Sequence, residues 1–368
     1  MLLPILLLSA AGFTILTTEF LIIGLLPPMA RDLQVTVSQA GLLVSLFAFT
    51  VASAGPFLTA LAPNIGIMAI ARFIPALALP VFWSLASATA VELVGPAHAG
   101  RAISMVAFGI VAATVFGIPI GVLISDAFGW RAAFGILAGV SFAKAILLAL
   151  TFPAIRVANT GLRFTTQLRV LRDPFVVGNV LLSVLIFTGM FTAYTYLADM
   201  LERLAGFDGR IVGWSMMGFG AIGIVGNTLG GRLVDKSPLG TTSLFTALMA
   251  ASLAVITMAM QAHIALALTL GVWGIAQAAL FIVCHVRVMK SAPQAPAFAA
   301  SLNISGANIG IGLGAVVGGG VIERLSLSDL GWSSALILAA ALLLAAGLMI
   351  RSRHRPPIDS SPHIHAMH

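Results

Sequence analysis

The sequence predicts an all-α membrane protein, and three observations support this fold class. First, 60% of the 368 residues are hydrophobic and only 8% are charged, whereas soluble domains average roughly 45–50% apolar and about 25% charged residues. Second, long stretches contain no Asp, Glu, Lys or Arg, and the stretch 237–286 is long enough for two crossings, because one crossing needs about 20 apolar residues. Third, the apolar runs are continuous rather than alternating, which favours helices over a β-barrel.

Charges and turn-forming residues divide the chain into eleven apolar segments, each a candidate span. The segments cover 2–26, 37–62, 65–92, 99–126, 130–153, 174–198, 209–233, 240–261, 263–289, 296–321 and 331–350. The first begins without a basic region and extends to Pro27, so we interpret it as a span and not as a signal peptide.

The longest polar connector, 154–173, predicts a division of the chain into two helical bundles. It carries four arginines and is expected to be a cytoplasmic linker. The N-terminal bundle covers 1–153 with about five spans, and the C-terminal bundle covers 174–351 with six. The last residues, 352–368, are polar and rich in proline and histidine, which predicts a disordered tail.

Lys and Arg gather in alternate loops, and this predicts the orientation because cytoplasmic loops carry an excess of these residues. The basic positions are Arg101, 156–172, Arg232 with Lys236, Arg287 with Lys290, and 351–355. We therefore expect these loops and the C-terminus in the cytoplasm. The first two spans cannot be oriented in this way, because no Lys or Arg lies between Arg31 and Arg72.

Several functional classes are disfavoured by the composition. The net charge of +7 could indicate a protein that binds nucleic acid. The basic residues, however, lie between apolar spans and form no compact patch, so no nucleic-acid partner is expected. The single cysteine, Cys284, excludes a disulfide framework and a cysteine-based zinc site. No metal-ligand pair, nucleophile motif or paired carboxylates occur within a span, so we predict neither catalytic residues nor a metal site, and the chain is not expected to be an enzyme.

Five motifs in a fixed order give the sequence a family resemblance. They occupy 17–27 in the first segment, 117–121 with 129–134, 231–236, 301–305, and 308–314. Together they resemble bacterial exporters of the major facilitator superfamily, namely the drug:proton antiporters and the arabinose- and purine-nucleoside-efflux-like carriers. The resemblance implies a multi-pass protein of the bacterial inner membrane, a monomer, that exports a small molecule by alternating access. It also implies that the proton gradient drives transport without a cofactor, and that protons, the lipid bilayer and a sugar, nucleoside or drug are the partners.

The chain departs from the family pattern in its first half. The family has twelve helices, with a basic loop between the second and third, whereas here 58–64 runs directly into what resembles the fourth helix. The first half also holds five segments in 153 residues, and the second holds six in 178. We therefore predict eleven spans in a major-facilitator-type two-bundle fold, with the third helix missing. The alternative is that this deletion leaves a transport-inactive variant of such a carrier.

Two charged residues are candidates for proton or substrate coupling. Glu19 lies inside the first span, where a charged side chain costs about 2.5–3.5 kcal/mol on insertion scales. It could exchange protons as water access alternates, or it could join helices by hydrogen bonds. Arg72 resembles the family's fourth-helix arginine associated with proton coupling, and the alternative is an arginine whose side chain reaches the membrane surface.

Two groups of residues resemble conserved elements of the family. Gly109, Gly117, Pro119 and Gly121 match the antiporter motif, and the alternative is ordinary packing of small residues. Gly231, Arg232, Asp235 and Lys236 match the cytoplasmic loop motif, in which an Asp can pair with a helix N-terminus or an Arg across the interface and hold one state. Simple positive-inside anchoring is the competing interpretation.

The remaining candidates are residues that could line a substrate cavity. Aromatic and amide side chains within apolar spans either contact a planar or sugar-like substrate or join helices. They are Trp83, Tyr194, Trp273, Gln277, Asn303 and Asn308. A further glycine-rich run, 306–320, lies in an apolar span without a preceding strand or a Gly-Lys-Ser/Thr sequence, so it predicts close helix packing and not nucleotide binding.

Overall fold

The structure is a computed structural model that describes residues 61–62, 64–67, 112–151 and 170–353. In these ranges the chain is helical and holds no strand. A π-helical turn, Ala113–Gly117, leads into α1 (Ile118–Phe128), which is followed by α2 (Trp130–Thr151), α3 (Pro174–Tyr194), α4 (Leu197–Arg203), α5 (Gly209–Val234), α6 (Pro238–Ala259), α7 (His263–Ser291), α8 (Pro296–Arg324) and α9 (Leu330–Arg353).

Polar caps and prolines fix where the helices begin. The Asp173 carboxylate accepts a hydrogen bond from the Phe175 amide at 2.9 Å ahead of α3, and Asp208 accepts one from Ile211 at 2.7 Å ahead of α5. Such caps satisfy amide groups that have no partner inside the helix. Gly129, with φ of +82°, separates α1 from α2, a backbone conformation that glycine adopts without steric cost.

Six helical stretches of the described residues are long and apolar enough to cross a membrane. They are Pro174–Arg203, Gly209–Val234, Pro238–Ala259, His263–Ser291, Phe298–Arg324 and Leu327–Ser352. Each overlaps a segment expected from the charge-free runs, with ends that differ by a few residues. The first extends further than expected, to Arg203, because the chain turns at 195–196 and continues as α4.

The six spans pack as a bundle in which α3 and α7 each form extensive contacts with two other helices. Helix α3 lies against α8 and α9, and α7 lies against α5 and α6. Helix α6 also packs against α9, which connects the two groups of helices. Large apolar side chains on the outward faces remain exposed, for example Leu336 and Leu343 on α9 and Leu268 on α7. Such faces are expected where lipid, rather than water, surrounds a helix.

A stripe of glycines brings α8 into direct contact with the backbone of α3. The stripe consists of Gly306, Gly310, Gly314 and Gly318, spaced four residues apart and so on one face of the helix. A Cβ atom added to Gly310 would lie 2.6 Å from the Val184 carbonyl oxygen, and one added to Gly314 would lie 2.7 Å from that of Thr188. Both contacts are too short for any side chain. Close helix packing by this glycine-rich run is therefore confirmed.

Candidate functional site

Six aromatic side chains from three helices contact one another. We call them the aromatic cluster: Phe187, Phe191 and Tyr194 from α3, Phe219 from α5, and Trp273 and Phe281 from α7. The Tyr194 ring stacks on Phe219 with centroids 5.5 Å apart, and both rings meet Trp273 edge to face. Edge-to-face and stacked pairs each add about 0.5–1.5 kcal/mol beyond the burial of their area.

The amide of Gln277 is the polar group of the aromatic cluster. The indole Nε1 of Trp273 donates a hydrogen bond to the Gln277 Oε1 atom at 2.9 Å. The two residues are four positions apart on α7, so they lie on the same face of the helix, and Trp273 is fully buried. This bond leaves the two amide hydrogens of Gln277 as donors beside the rings. Tyr194, Trp273 and Gln277, three residues singled out as cavity candidates, are thus brought together.

Phe219 and Phe281 were not among the residues predicted from the sequence. The position of Phe281 was detectable, because Trp273, Gln277 and Phe281 follow at intervals of four and must share one face of α7. Phe281 is also the more exposed of the two, at 37%, which leaves part of its ring open beside Phe187 and Phe191. Phe219 carries no comparable signal, since its contact depends on how α5 is rotated toward α7.

Asn303 and Asn308 lie elsewhere than the aromatic cluster. The Asn303 Oδ1 atom accepts a hydrogen bond from the Ser183 hydroxyl at 2.8 Å, and this hydroxyl also accepts one from the Arg287 guanidinium at 2.8 Å. Asn303 therefore belongs to a separate buried polar cluster near the end of α7. The Asn308 side chain donates to the Ile304 carbonyl oxygen of its own helix at 3.1 Å.

The cytoplasmic loop motif forms an ion pair within the C-terminal helices. The Asp235 carboxylate, at the end of α5, lies 2.7 Å from the Lys290 amine near the end of α7. Both side chains are well exposed, and exposed pairs contribute about 0–1 kcal/mol. Of the motif's other members, Arg232 and Lys236 are exposed and Gly231 has open space beside its Cα atom. The motif therefore joins the ends of α5 and α7.

The described part of the antiporter motif begins α1, which packs against α5. Gly117 ends the π-helical turn, and Pro119 and Gly121 are buried in the first turns of α1. Further along α1, Leu123 approaches Gly213 of α5, where an added Cβ atom would lie 2.9 Å from its Cδ2 atom. Asp126, at the end of α1, similarly approaches Gly209 at the start of α5. The two helices thus meet at the end predicted to face away from the cytoplasm.

The contact between α1 and α5 predicts that a disulfide will form in the double variant Asp126→Cys/Gly209→Cys. A Cβ atom on Gly209 lies 3.4 Å from that of Asp126, close to the roughly 3.5–4.5 Å found across disulfides. The double variant should resist labelling by a polyethylene-glycol maleimide until it is reduced, whereas each single variant should be labelled at once. The native Cys284 is buried and is common to all variants. Full labelling of the double variant without reductant would contradict the contact.

Four of the predicted site residues lie outside the described residues. They are Glu19, Arg72, Trp83 and Gly109. Their proposed roles in coupling, cavity lining and the antiporter motif therefore stay predictions.

Comparison with known proteins places the chain among transporters. The profile of the family described as Major Facilitator Superfamily matches residues 52–295 and 180–366. The chain is 29% identical to "Uncharacterized MFS-type transporter YtbD" of Bacillus subtilis (strain 168), with 92% of this chain and 93% of that protein covered. It is 30% identical to "Inner membrane transport protein YdhP" of Escherichia coli (strain K12), with 93% and 94% covered.

Solved structures share the fold at lower identity. The nucleoside transporter NupG superimposes with a TM-score of 0.73 at 16% identity, covering 95% of this chain and 98% of that one. A bacterial homologue of the human lysosomal transporter Spinster gives a TM-score of 0.71 at 17% identity, covering 96% of each chain.

The alignment with YtbD includes positions that have no residue of this chain. It runs over 367 positions but includes 92% of the 368 residues, about 339, so about 28 positions have no residue of this chain.

Proposed function

Because the chain belongs to the Major Facilitator Superfamily, we propose that it exports a small molecule across the bacterial inner membrane by alternating access, driven by the proton gradient. Family membership makes it a multi-pass membrane transporter. The direction, the coupling to protons and the substrate class (a sugar, nucleoside or drug) are our proposal. So is the cytoplasmic location of the C-terminus, which follows from the distribution of Lys and Arg.

The aromatic cluster is the observation that carries the proposal. It combines ring faces from α3, α5 and α7 with the Gln277 amide. Small-molecule sites consist mostly of apolar and aromatic surface with a few oriented polar groups. Ring faces suit a planar base or the apolar face of a sugar, and the free amide hydrogens of Gln277 can donate to a hydroxyl or carbonyl oxygen. Phe281 is partly exposed, so part of its ring is not covered by the other rings.

Proton coupling is proposed for Glu19 and export for the antiporter motif. A carboxyl inside a span is disfavoured in its charged form, which suits a group that binds and releases a proton as access alternates. Gly117, Pro119 and Gly121 resemble the motif that is typical of exporters. Helix α1, which begins directly after Gly117, packs against α5, so a movement of α1 would act directly on the contact between the two bundles.

We expect cells that express the protein to accumulate less of its substrate than cells without it. A panel of radiolabelled sugars and nucleosides, together with a fluorescent drug-like dye, identifies the exported compound. Adding a protonophore should abolish the difference in accumulation, because the driving force is then lost. The variant Glu19→Gln should abolish it as well, with Glu323→Gln, at the exposed end of α8, as the matched control. Export that is unchanged by the protonophore would contradict proton coupling.

A second candidate is that the chain is a transport-inactive deletion variant. About 28 positions of the YtbD alignment lack a residue of this chain, in total about as many residues as one span and part of a loop contain. Inserting a helix and a basic loop after Ala60 distinguishes the two candidates. If the native chain exports the compound as well as the restored chain does, the deletion variant is excluded. If only the restored chain exports it, the native chain is inactive.

A further inference from the structure

Arg287 lies buried among polar side chains at the junction of three helices. It belongs to α7, one turn before the helix ends at Ser291, and is only 2% exposed. Its Nη2 atom donates to the Asn179 carbonyl oxygen of α3 at 3.0 Å and to the Ser183 hydroxyl at 2.8 Å. Ser183 in turn donates to Asn303 of α8. These four residues form what we call the polar junction.

The hydrogen bonds of the polar junction are incomplete. The Nε and Nη1 atoms of Arg287 are buried donors with no hydrogen-bond partner among the described residues. The Oδ1 atom of Asn179 is likewise a buried acceptor without one. Its orientation is fixed, because the Nδ2 atom of the same amide donates to the Phe175 carbonyl oxygen at 2.8 Å. Buried polar atoms are nearly always paired, so unpaired donors and an unpaired acceptor in one cluster indicate a missing group.

No described residue forms an ion pair with Arg287. The ion pairs found between described residues join Asp199 with Arg203 and Asp235 with Lys290, and neither includes Arg287. A buried guanidinium without a counter-charge is strongly destabilising, and arginine is permanently charged. The missing group should therefore be anionic, with oxygen atoms that accept from the guanidinium.

The unpaired Asn179 acceptor further limits the chemical class of the missing group. A bare carboxylate or sulfate offers acceptors only, whereas the Asn179 Oδ1 atom needs a donor. A single group that satisfies both combines an oxyanion with a hydroxyl. Hydrogen phosphate, phosphate monoesters in their monoanionic form and hydroxy acids have this combination.

We infer that the polar junction is a binding site for an oxyanion that carries a hydroxyl group, and that Arg287 and Asn179 recognise it on the transported molecule. The inference rests on the proposed export function and names the class of cargo. The junction lies at the end of α7 next to Lys290, which is predicted to face the cytoplasm, where an exporter takes up its cargo. Ser291, the last residue of α7, is four positions on, about 6 Å along the helix, so a small separation of the helix ends would admit the anion.

Binding is tested on the purified full-length chain in detergent, without any proton gradient. The probes are sodium phosphate and sodium sulfate at pH 8, at an ionic strength held constant with sodium chloride. At this pH both probes are mainly dianions of similar size, and only hydrogen phosphate carries a hydroxyl. We expect phosphate to raise the unfolding temperature saturably, by about 2–4 °C, and sulfate to raise it less. No saturable shift with phosphate in the wild-type chain would overturn the inference.

Three variants assign the effect to the polar junction. Arg287→Gln should lose the phosphate shift, and the matched variant Arg324→Gln, which changes an exposed arginine at the end of α8, should keep it. Asn179→Ala retains the guanidinium and should respond equally to phosphate and sulfate. A phosphate shift in Arg287→Gln as large as in the wild type would place the anion elsewhere and reject the site. If Arg287→Gln does not fold, the test is whether Asn179→Ala loses the discrimination between phosphate and sulfate. Discrimination as in the wild type would reject the site.

The test separates this inference from the proposed export. If phosphate binds saturably but export is unchanged by the protonophore, the inferred anion site stands and proton coupling is rejected. Gradient-dependent export of a neutral compound, combined with no phosphate binding, would retain the export function and reject the anion site.

Discussion

Replacing Gly226 with alanine should reduce the free energy of unfolding by at least about 3 kcal/mol, a value at the upper end of overpacking effects. Gly226 lies where α5 crosses α7, and a Cβ atom added there would overlap the backbone carbonyl of Ile275. A neighbouring side chain could rotate away, but a backbone carbonyl inside a helix can move only if the whole helix moves. Because globular proteins are stable by only about 5–15 kcal/mol, we expect little folded protein, measured by fluorescence-detected size-exclusion chromatography and by thermal unfolding in detergent.

The control is the same substitution on the same helix. Gly218 is exposed on α5 and has open space where the added Cβ atom would lie. Alanine is favoured over glycine within helices by about 1 kcal/mol, so Gly218→Ala should leave stability unchanged or raise it slightly. Equal yields and unfolding temperatures for the two variants would mean that α5 and α7 are further apart than described.

Replacing Trp273 with alanine should cost about 3–5 kcal/mol of stability, the range observed for large aromatic residues removed from cores. The side chain is fully buried, and its removal leaves a cavity beside the stacked rings of Tyr194 and Phe219. It also leaves the Gln277 Oε1 atom without the indole donor. We expect a large drop in the unfolding temperature and loss of export, because the same ring belongs to the aromatic cluster.

A second tryptophan provides the comparison for Trp273. Trp214 on α5 is 54% exposed and lies on a face expected to meet lipid, so Trp214→Ala should change stability by less than about 1 kcal/mol. The milder variant Trp273→Phe keeps a ring and should retain the fold while losing the bond to Gln277. If Trp273→Ala unfolds at the temperature of Trp214→Ala, the aromatic cluster does not stabilise the bundle.

Much of the fold could be predicted from the sequence, because membrane spans are marked by the absence of charge. The membership of the Major Facilitator Superfamily and the all-α fold are confirmed. The positions where α3, α5 and α6 begin were also detectable, since Asp173, Asp208 and Ser237 are of the residue types typical of helix N-caps. The count of eleven spans stays a prediction, because most of the N-terminal bundle lies outside the described residues.

The arrangement of the candidate site was harder to predict. Helices buried among other helices and lipid are apolar on all sides, so periodicity does not indicate which face meets which neighbour. Tyr194, Trp273 and Gln277 were found because aromatic and amide residues are conspicuous in apolar spans. Arg287 resembled one more positive residue near a cytoplasmic helix end. Its burial depends on contacts with α3, which lies over a hundred positions earlier in the chain.

The glycine stripe of α8 limits how this protein can change shape. Side chains can exchange rotamers, but α8 rests on the carbonyl groups of α3, which have no alternative positions while α3 remains helical. The two helices should therefore travel as a rigid pair through any cycle of opening and closing. The deformation must then be taken up at contacts formed by side chains, such as that of Leu123 with α5, and a spin-label distance between α3 and α8 should stay constant while the distance between α1 and α5 changes.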